Sequence, residues 1–124
     1  MQSKRPVNLN LFVFSWPIAA LASITHRISG VVLFVGIAFG LYALQLGLSS
    51  PAGFAEAGAL LAQPFPRFIM LGLLFGLVYH VLAGIKHLLL DFHIGDTNSA
   101  ASTGAVVVIA GSVIVTIVLG ALLW

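Results

Sequence analysis

Residues 67–90 read RFIMLGLLFGLVYHVLAGIKHLLL, and this stretch decides the fold. Nothing between Arg67 and Lys86 carries a charge. An uncharged apolar run of about 18 residues is long enough to cross a hydrocarbon core as a helix. Backbone in lipid must satisfy its own hydrogen bonds, which favours a helix, and the run lacks the alternating polarity of a barrel strand. Two further runs share the pattern, from Arg27 to Glu56 and from Asp96 to Trp124. Three transmembrane helices are therefore expected, at about 23–48, 67–90 and 103–124, forming one all-α integral membrane domain over residues 1–124.

Composition agrees. Of 124 residues, 60% are hydrophobic and 6% are charged, with five Lys or Arg and three Asp or Glu. Soluble domains are roughly 25% charged, and disordered chains are charge-rich and poor in apolar residues. Five basic residues cannot build a basic stripe, which excludes a nucleic-acid partner. With no Cys, the chain offers no disulfide, thiolate zinc site or iron–sulfur ligand. The uncharged stretch before His26 is interrupted by Asn8, Asn10, Ser15 and Pro17, so it reads neither as a fourth span nor as an intact signal-peptide core.

Lys4, Arg5, Arg27 and Lys86 fall on one side of the three spans and Arg67 on the other. The positive-inside rule then predicts a cytoplasmic N-terminus and 91–102 loop, and a periplasmic C-terminus. In the 49–66 loop, Ser50-Pro51 suits an N-cap followed by the first helical residue. Phe54, Ala57, Leu60 and Leu61 follow at helical spacing, which predicts a short interfacial helix between helices 1 and 2. Gly36 and Gly40, like Gly72 and Gly76, are spaced to let helices approach closely.

Two clusters carry chemistry. Gly72, Gly76, His80 and Gly84 recur every four residues, so His80 is expected to project from a groove wide enough for a flat cofactor. Its imidazole could ligate haem iron, or simply bond a Ser or a carbonyl of a neighbouring helix. His87 lies two turns away, roughly 10 Å, and could meet a propionate or pair with Asp91. His26 is expected nearer the interface and His93 in a loop, so a second axial ligand would come from another chain. The second cluster is Ser23, His26 and Arg27, at the start of helix 1. Arg27 could merely snorkel. With the Ser23 hydroxyl it could also hold a quinone oxygen and stabilise the negative charge that builds on reduction.

Arg5-Pro6-Val7-Asn8-Leu9, Ser23-Ile24-Thr25-His26-Arg27-Ile28-Ser29-Gly30 and His80-Val81-Leu82-Ala83-Gly84-Ile85-Lys86-His87-Leu88-Leu89-Leu90-Asp91 together resemble the cytochrome b membrane-anchor subunits of succinate dehydrogenase, respiratory complex II. The resemblance covers nearly the whole chain, although helix 3 adds only generic apolar sequence. It implies a subunit outside the catalytic core, which attaches a flavoprotein and an iron–sulfur subunit to the bilayer. The absence of an Arg- and Ser-rich presequence favours a bacterial inner membrane over an imported mitochondrial protein. The resemblance also implies a b-type haem shared with a second anchor subunit that supplies the other axial His. By position, His80 matches the axial ligand, and His26, Arg27 and, more loosely, His87 match residues at the propionates. Ser23, Ile24 and Arg27 match residues of the ubiquinone-reduction site. The alternative is a structural anchor with no redox role. A small transporter subunit is disfavoured by the lack of acids and of helix-breaking pairs within the spans.

Overall fold

The computed structural model describes residues 18–124, and within them every regular element is a helix. The elements are α1 (Ile18–Ser49), α2 (Pro51–Ala62), α3 (Pro64–Asp91) and α4 (Asn98–Leu123). Helices α1, α3 and α4 are long and apolar enough to cross a membrane, giving a multi-pass membrane protein. The 28 residues of α3 span about 42 Å at 1.5 Å per residue, more than a 30 Å hydrocarbon core requires. The Arg5–Leu9 motif and the Lys4-Arg5 pair lie outside the described residues.

All three spans are longer at their N-termini than the charge pattern alone suggests, and the reason is local. Helix α1 is already helical at Ile18, ahead of the first polar cluster. Pro64 and Pro66 bracket the start of α3, where a missing N–H costs nothing. Thr97 caps α4, its side chain accepting from Ala100 N at 3.1 Å, so that helix begins at Asn98. The short α2 forms as expected, with Ser50 Oγ accepting from Gly53 N at 2.9 Å and Pro51 at the first helical position. Gly53 sits so tightly against Ser49 and the Leu46 carbonyl that any Cβ would collide with them, which permits the sharp corner from α1 into α2.

The packing inverts that of a water-soluble protein. The buried positions are mostly small: Ala22, Ser29, Ala43, Ala57, Ala83, Ala105 and Ser112, with Tyr79 and Val108. Large apolar side chains such as Phe34, Leu48, Phe68, Ile117 and Leu122 face outward. Lipid tails are as apolar as Leu, so close backbone approach rather than burial of Leu joins such helices. Gly36 is one such contact, because a Cβ there would run into the Leu73 side chain of α3. Gly40, expected to pack likewise, meets nothing within 4 Å and borders open grooves.

Helix α3 ends in a Schellman arrangement. Ile94 N donates to Leu89 O and His93 N to Leu90 O, both at 2.9 Å, with His93 at φ 58° in the left-handed region. A residue with a Cβ is disfavoured there by about 1 kcal/mol or more. His93→Gly is therefore expected to be tolerated and to raise the thermal midpoint of the purified protein slightly. A drop of several degrees would show that the imidazole, 3.6 Å from Asp96 Oδ2, contributes more than the backbone strain costs.

Candidate functional site between α1 and α3

One turn of α1 and two turns of α3 place six polar side chains along a single seam. On α1, Ala22, Thr25, His26 and Ser29 recur at three- and four-residue spacing and so share a face. On α3, Tyr79, His80 and His87 look back at it. Tyr79 is buried, and its hydroxyl donates to Ala22 O at 3.1 Å and also meets Thr25 Oγ1. Thr25 in turn donates to Leu21 O at 2.7 Å.

His80 is held at one ring nitrogen. Its Nδ1 lies 3.0 Å from Ser29 Oγ and 3.2 Å from His26 O. Ser29 Oγ also donates to His26 O, at 2.6 Å. The His26 carbonyl can only accept, and the Ser29 proton is already directed at it. The network is therefore satisfied when Nδ1 carries the proton and donates, which leaves the lone pair on Nε2. Among the described residues Nε2 has no hydrogen-bond partner. A second interaction of this kind, fixing tautomer and ring plane, is what a metal-binding imidazole needs.

The surroundings differ from the open groove anticipated around His80. The Gly row of α3 faces α1 and is largely covered: a Cβ on Gly76 would meet Leu33, and one on Gly84 would lie 3.5 Å from His26 Nε2. Only Gly72 faces open space. On the α1 side, a Cβ on Gly30 would lie 3.1 Å from His80 Cε1. Gly30 and Gly84 thus make room for imidazoles of this chain rather than for an empty slot.

His26 is the larger departure. Placed nearer the interface by sequence, its ring stacks on His80 with centroids 4.3 Å apart and planes 17° apart. His87 does not pair with Asp91; its ring lies against His26, with centroids at 5.1 Å and an angle of 52°. The two-turn gap between His80 and His87 is thus bridged by an imidazole from the other helix. Among the described residues no group of three His, Asp or Glu side chains is arranged to hold a metal ion. A metal here would take fewer than three donors from the described residues.

Ser23 and Arg27 lie on a stripe of α1 beside His26, with Ile24 next to them. Arg27 is exposed and Ser23 and Ile24 are half-buried. None of the described residues forms a salt bridge with Arg27. The opposite flank of the seam opens into a mostly apolar groove of about 530 Å³, walled by Thr25, Ser29, Gly72, Gly76, Tyr79 and Ile109 among others. Ser29, Thr25 and Tyr79 were not anticipated as site residues. The available signal was the three-residue step from His26 to Ser29 and the adjacency of Tyr79 to His80.

The succinate dehydrogenase/fumarate reductase transmembrane subunit family matches residues 1–119. The succinate dehydrogenase cytochrome b556 subunit of Paracoccus denitrificans is 34% identical over 116 residues, covering 94% of this chain and 89% of that protein. The subunit of the same name from Coxiella burnetii is 33% identical over 125 residues, covering both chains completely. The mitochondrial cytochrome b560 subunit of Sus scrofa is 30% identical over 122 residues, covering 97% of this chain and 72% of the pig protein. With the family spanning nearly all of the sequence, and three apolar spans in place, the chain belongs to the succinate dehydrogenase/fumarate reductase transmembrane subunit family.

Proposed function

We propose that this chain is the cytochrome b membrane anchor of a succinate dehydrogenase, contributing one axial ligand to a b-type haem and part of a ubiquinone-reduction site. The observation that carries the proposal is the fastening of His80. Its Nδ1 is committed to Ser29 and the His26 carbonyl, and its Nε2 remains available. The names of the Paracoccus and Coxiella relatives support the haem class. A haem shared with a second anchor subunit would be held by His80 of this chain and by a His of that subunit.

The residues divide the work by chemistry. His80 would hold the haem iron through Nε2, its Nδ1 being bonded to Ser29 and the His26 carbonyl. His26, Arg27 and His87 stand where propionates could be bound, with Arg27 supplying the permanent charge. Ser23 and Arg27 hold a quinone oxygen by a neutral and a charge-assisted hydrogen bond, and Ile24 lines the ring's apolar edge. A bound haem supplies a one-electron store beside that site. The iron–sulfur and flavoprotein subunits deliver electrons from succinate. They dock on the cytoplasmic side of the inner membrane; the excess of Lys and Arg on the side of Ser23 and Arg27 supports that orientation.

A reduced-minus-oxidised optical spectrum of the purified complex tests the cofactor class. A b-type band is expected, and its absence would leave a structural anchor, for which the covered Gly row and bonded His80 are sufficient packing. Ser29→Ala refines the test. It removes one acceptor of Nδ1–H but leaves the His26 carbonyl, so the haem should be retained with a shifted midpoint potential. An unchanged potential would show that the carbonyl alone orients His80.

A further inference from the structure

Some 20 Å along α3 from His80, at the other end of the spans, a second polar site lies between α3 and α4. Arg67, Leu71, Thr116, Ile117, Gly120 and Trp124 line a cavity of about 510 Å³. Arg67 Nε and Thr116 Oγ1, from two different helices, are both buried and have no hydrogen-bond partner among the described residues. The Thr116 hydroxyl is the more telling. A buried hydroxyl in a helix ordinarily bonds back to a carbonyl one turn earlier, as Ser112 does to Val108 at 2.6 Å. Thr116 leaves that bond unmade.

None of the described residues forms a salt bridge with the Arg67 cation. The salt bridge among the described residues, His93–Asp96, is at the far end of α3. The guanidinium carbon instead lies 5.9 Å from the Trp124 ring centroid, a cation–π contact that leaves Nε unbonded. An Arg and a Trp at the ends of adjacent spans mark the headgroup level of a bilayer, where phosphate is always at hand. Below them come the apolar Leu71, Gly120 and Ile117, and Thr116, about two turns inward of Trp124 on α4, lies deepest. Ile117 is exposed outward, so the cavity is open toward lipid.

We propose that this cavity binds an anionic phospholipid, with a phosphate oxygen accepting from the Arg67 guanidinium, an ester carbonyl oxygen deeper along the lipid accepting from the Thr116 hydroxyl, and an acyl chain lying along Leu71 and Ile117. A single uncompensated guanidinium favours phosphatidylglycerol over phosphatidylcholine, whose ammonium group offsets the phosphate. The site is independent of the haem and quinone assignments.

The test uses the chain purified with its co-purifying subunits, stripped of lipid in detergent. It is then incubated with dioleoylphosphatidylglycerol, dioleoylphosphatidylcholine or inorganic phosphate, and bound lipid is counted by native mass spectrometry. Phosphatidylglycerol should be retained in preference to phosphatidylcholine. Its affinity should fall about 10-fold or more in Arg67→Gln and about threefold in Thr116→Val, the sizes expected for a charged and a neutral hydrogen bond. Should Arg67→Gln fail to assemble, the near-isosteric Thr116→Val decides the matter. Equal retention by both variants and the native chain would overturn the proposal, as would complete displacement of the lipid by millimolar inorganic phosphate. In Arg67→Lys, carbodiimide coupling of the new amine to a carboxylate of another subunit would also overturn it, by identifying a protein counter-ion.

Discussion

His80→Leu should abolish the b-type absorption band of the assembled complex while leaving the chain folded in the membrane. The loss follows from removing Nε2, the nitrogen of α3 that the hydrogen-bond network leaves free. The fold should survive because the substitution orphans nothing. Ser29 Oγ keeps its bond to the His26 carbonyl at 2.6 Å, and Tyr79 still ties α3 to Ala22 O at 3.1 Å. Forfeiting one neutral hydrogen bond costs about 1 kcal/mol, well below what unfolds a domain. Two readouts separate the outcomes: the difference spectrum and the yield of intact complex on size-exclusion chromatography. A band of unchanged position and intensity would remove His80 as a ligand. Loss of the band together with loss of the complex would assign His80 to assembly, and His80→Gln, which can still hydrogen-bond Ser29, would then restore assembly without the band.

Arg27→Ala is expected to lower succinate:ubiquinone reductase activity by about 10- to 100-fold, the range for a charge-assisted hydrogen bond made to the reacting group. Succinate oxidation with an artificial acceptor that bypasses the quinone should change by less than about twofold. The asymmetry rests on Arg27 being exposed on α1 without a salt-bridge partner among the described residues, so its removal breaks no ion pair there. Ser23→Ala should act in the same direction and more weakly, because a hydroxyl contributes a neutral hydrogen bond. Equal losses in both assays would trace the effect to the docking of the soluble subunits rather than to quinone.

The spans were legible because charge in hydrocarbon is costly, and eight charges in 124 residues leave few ways to draw them. Ser50-Pro51 was equally readable, since an N-cap is local chemistry and needs no tertiary partner. The site was legible only as a set of residue types. Helical periodicity placed Gly76, His80 and Gly84 on one face of α3 but could not say what that face meets. It meets α1, so a groove inferred from missing side chains is occupied by Leu33 and by His26. The stacking of His26 on His80 joins positions 54 apart in sequence, and no one-helix spacing encodes it. Ser29 was overlooked for the same reason: its role depends on which residue of α3 stands opposite, and that is set by the Gly30 contact.

The polar bonds between spans are unevenly distributed, and this bears on the order in which the membrane domain forms. Those from Tyr79 to Ala22 and from His80 to Ser29 and His26 all join α1 to α3. Among the described residues helix α4 contributes none; its buried Ser112 bonds to its own Val108. Synthesis runs from α1 through the short α2 to α3, so the strongest interhelical restraints can close before α4 has left the ribosome. The α1–α3 hairpin, carrying His26, His80 and His87, is then a preassembled unit, and α4 joins by shape alone. A late-arriving helix with an unsatisfied Thr116 and a cavity against Arg67 is the one whose seating is most open to lipid composition.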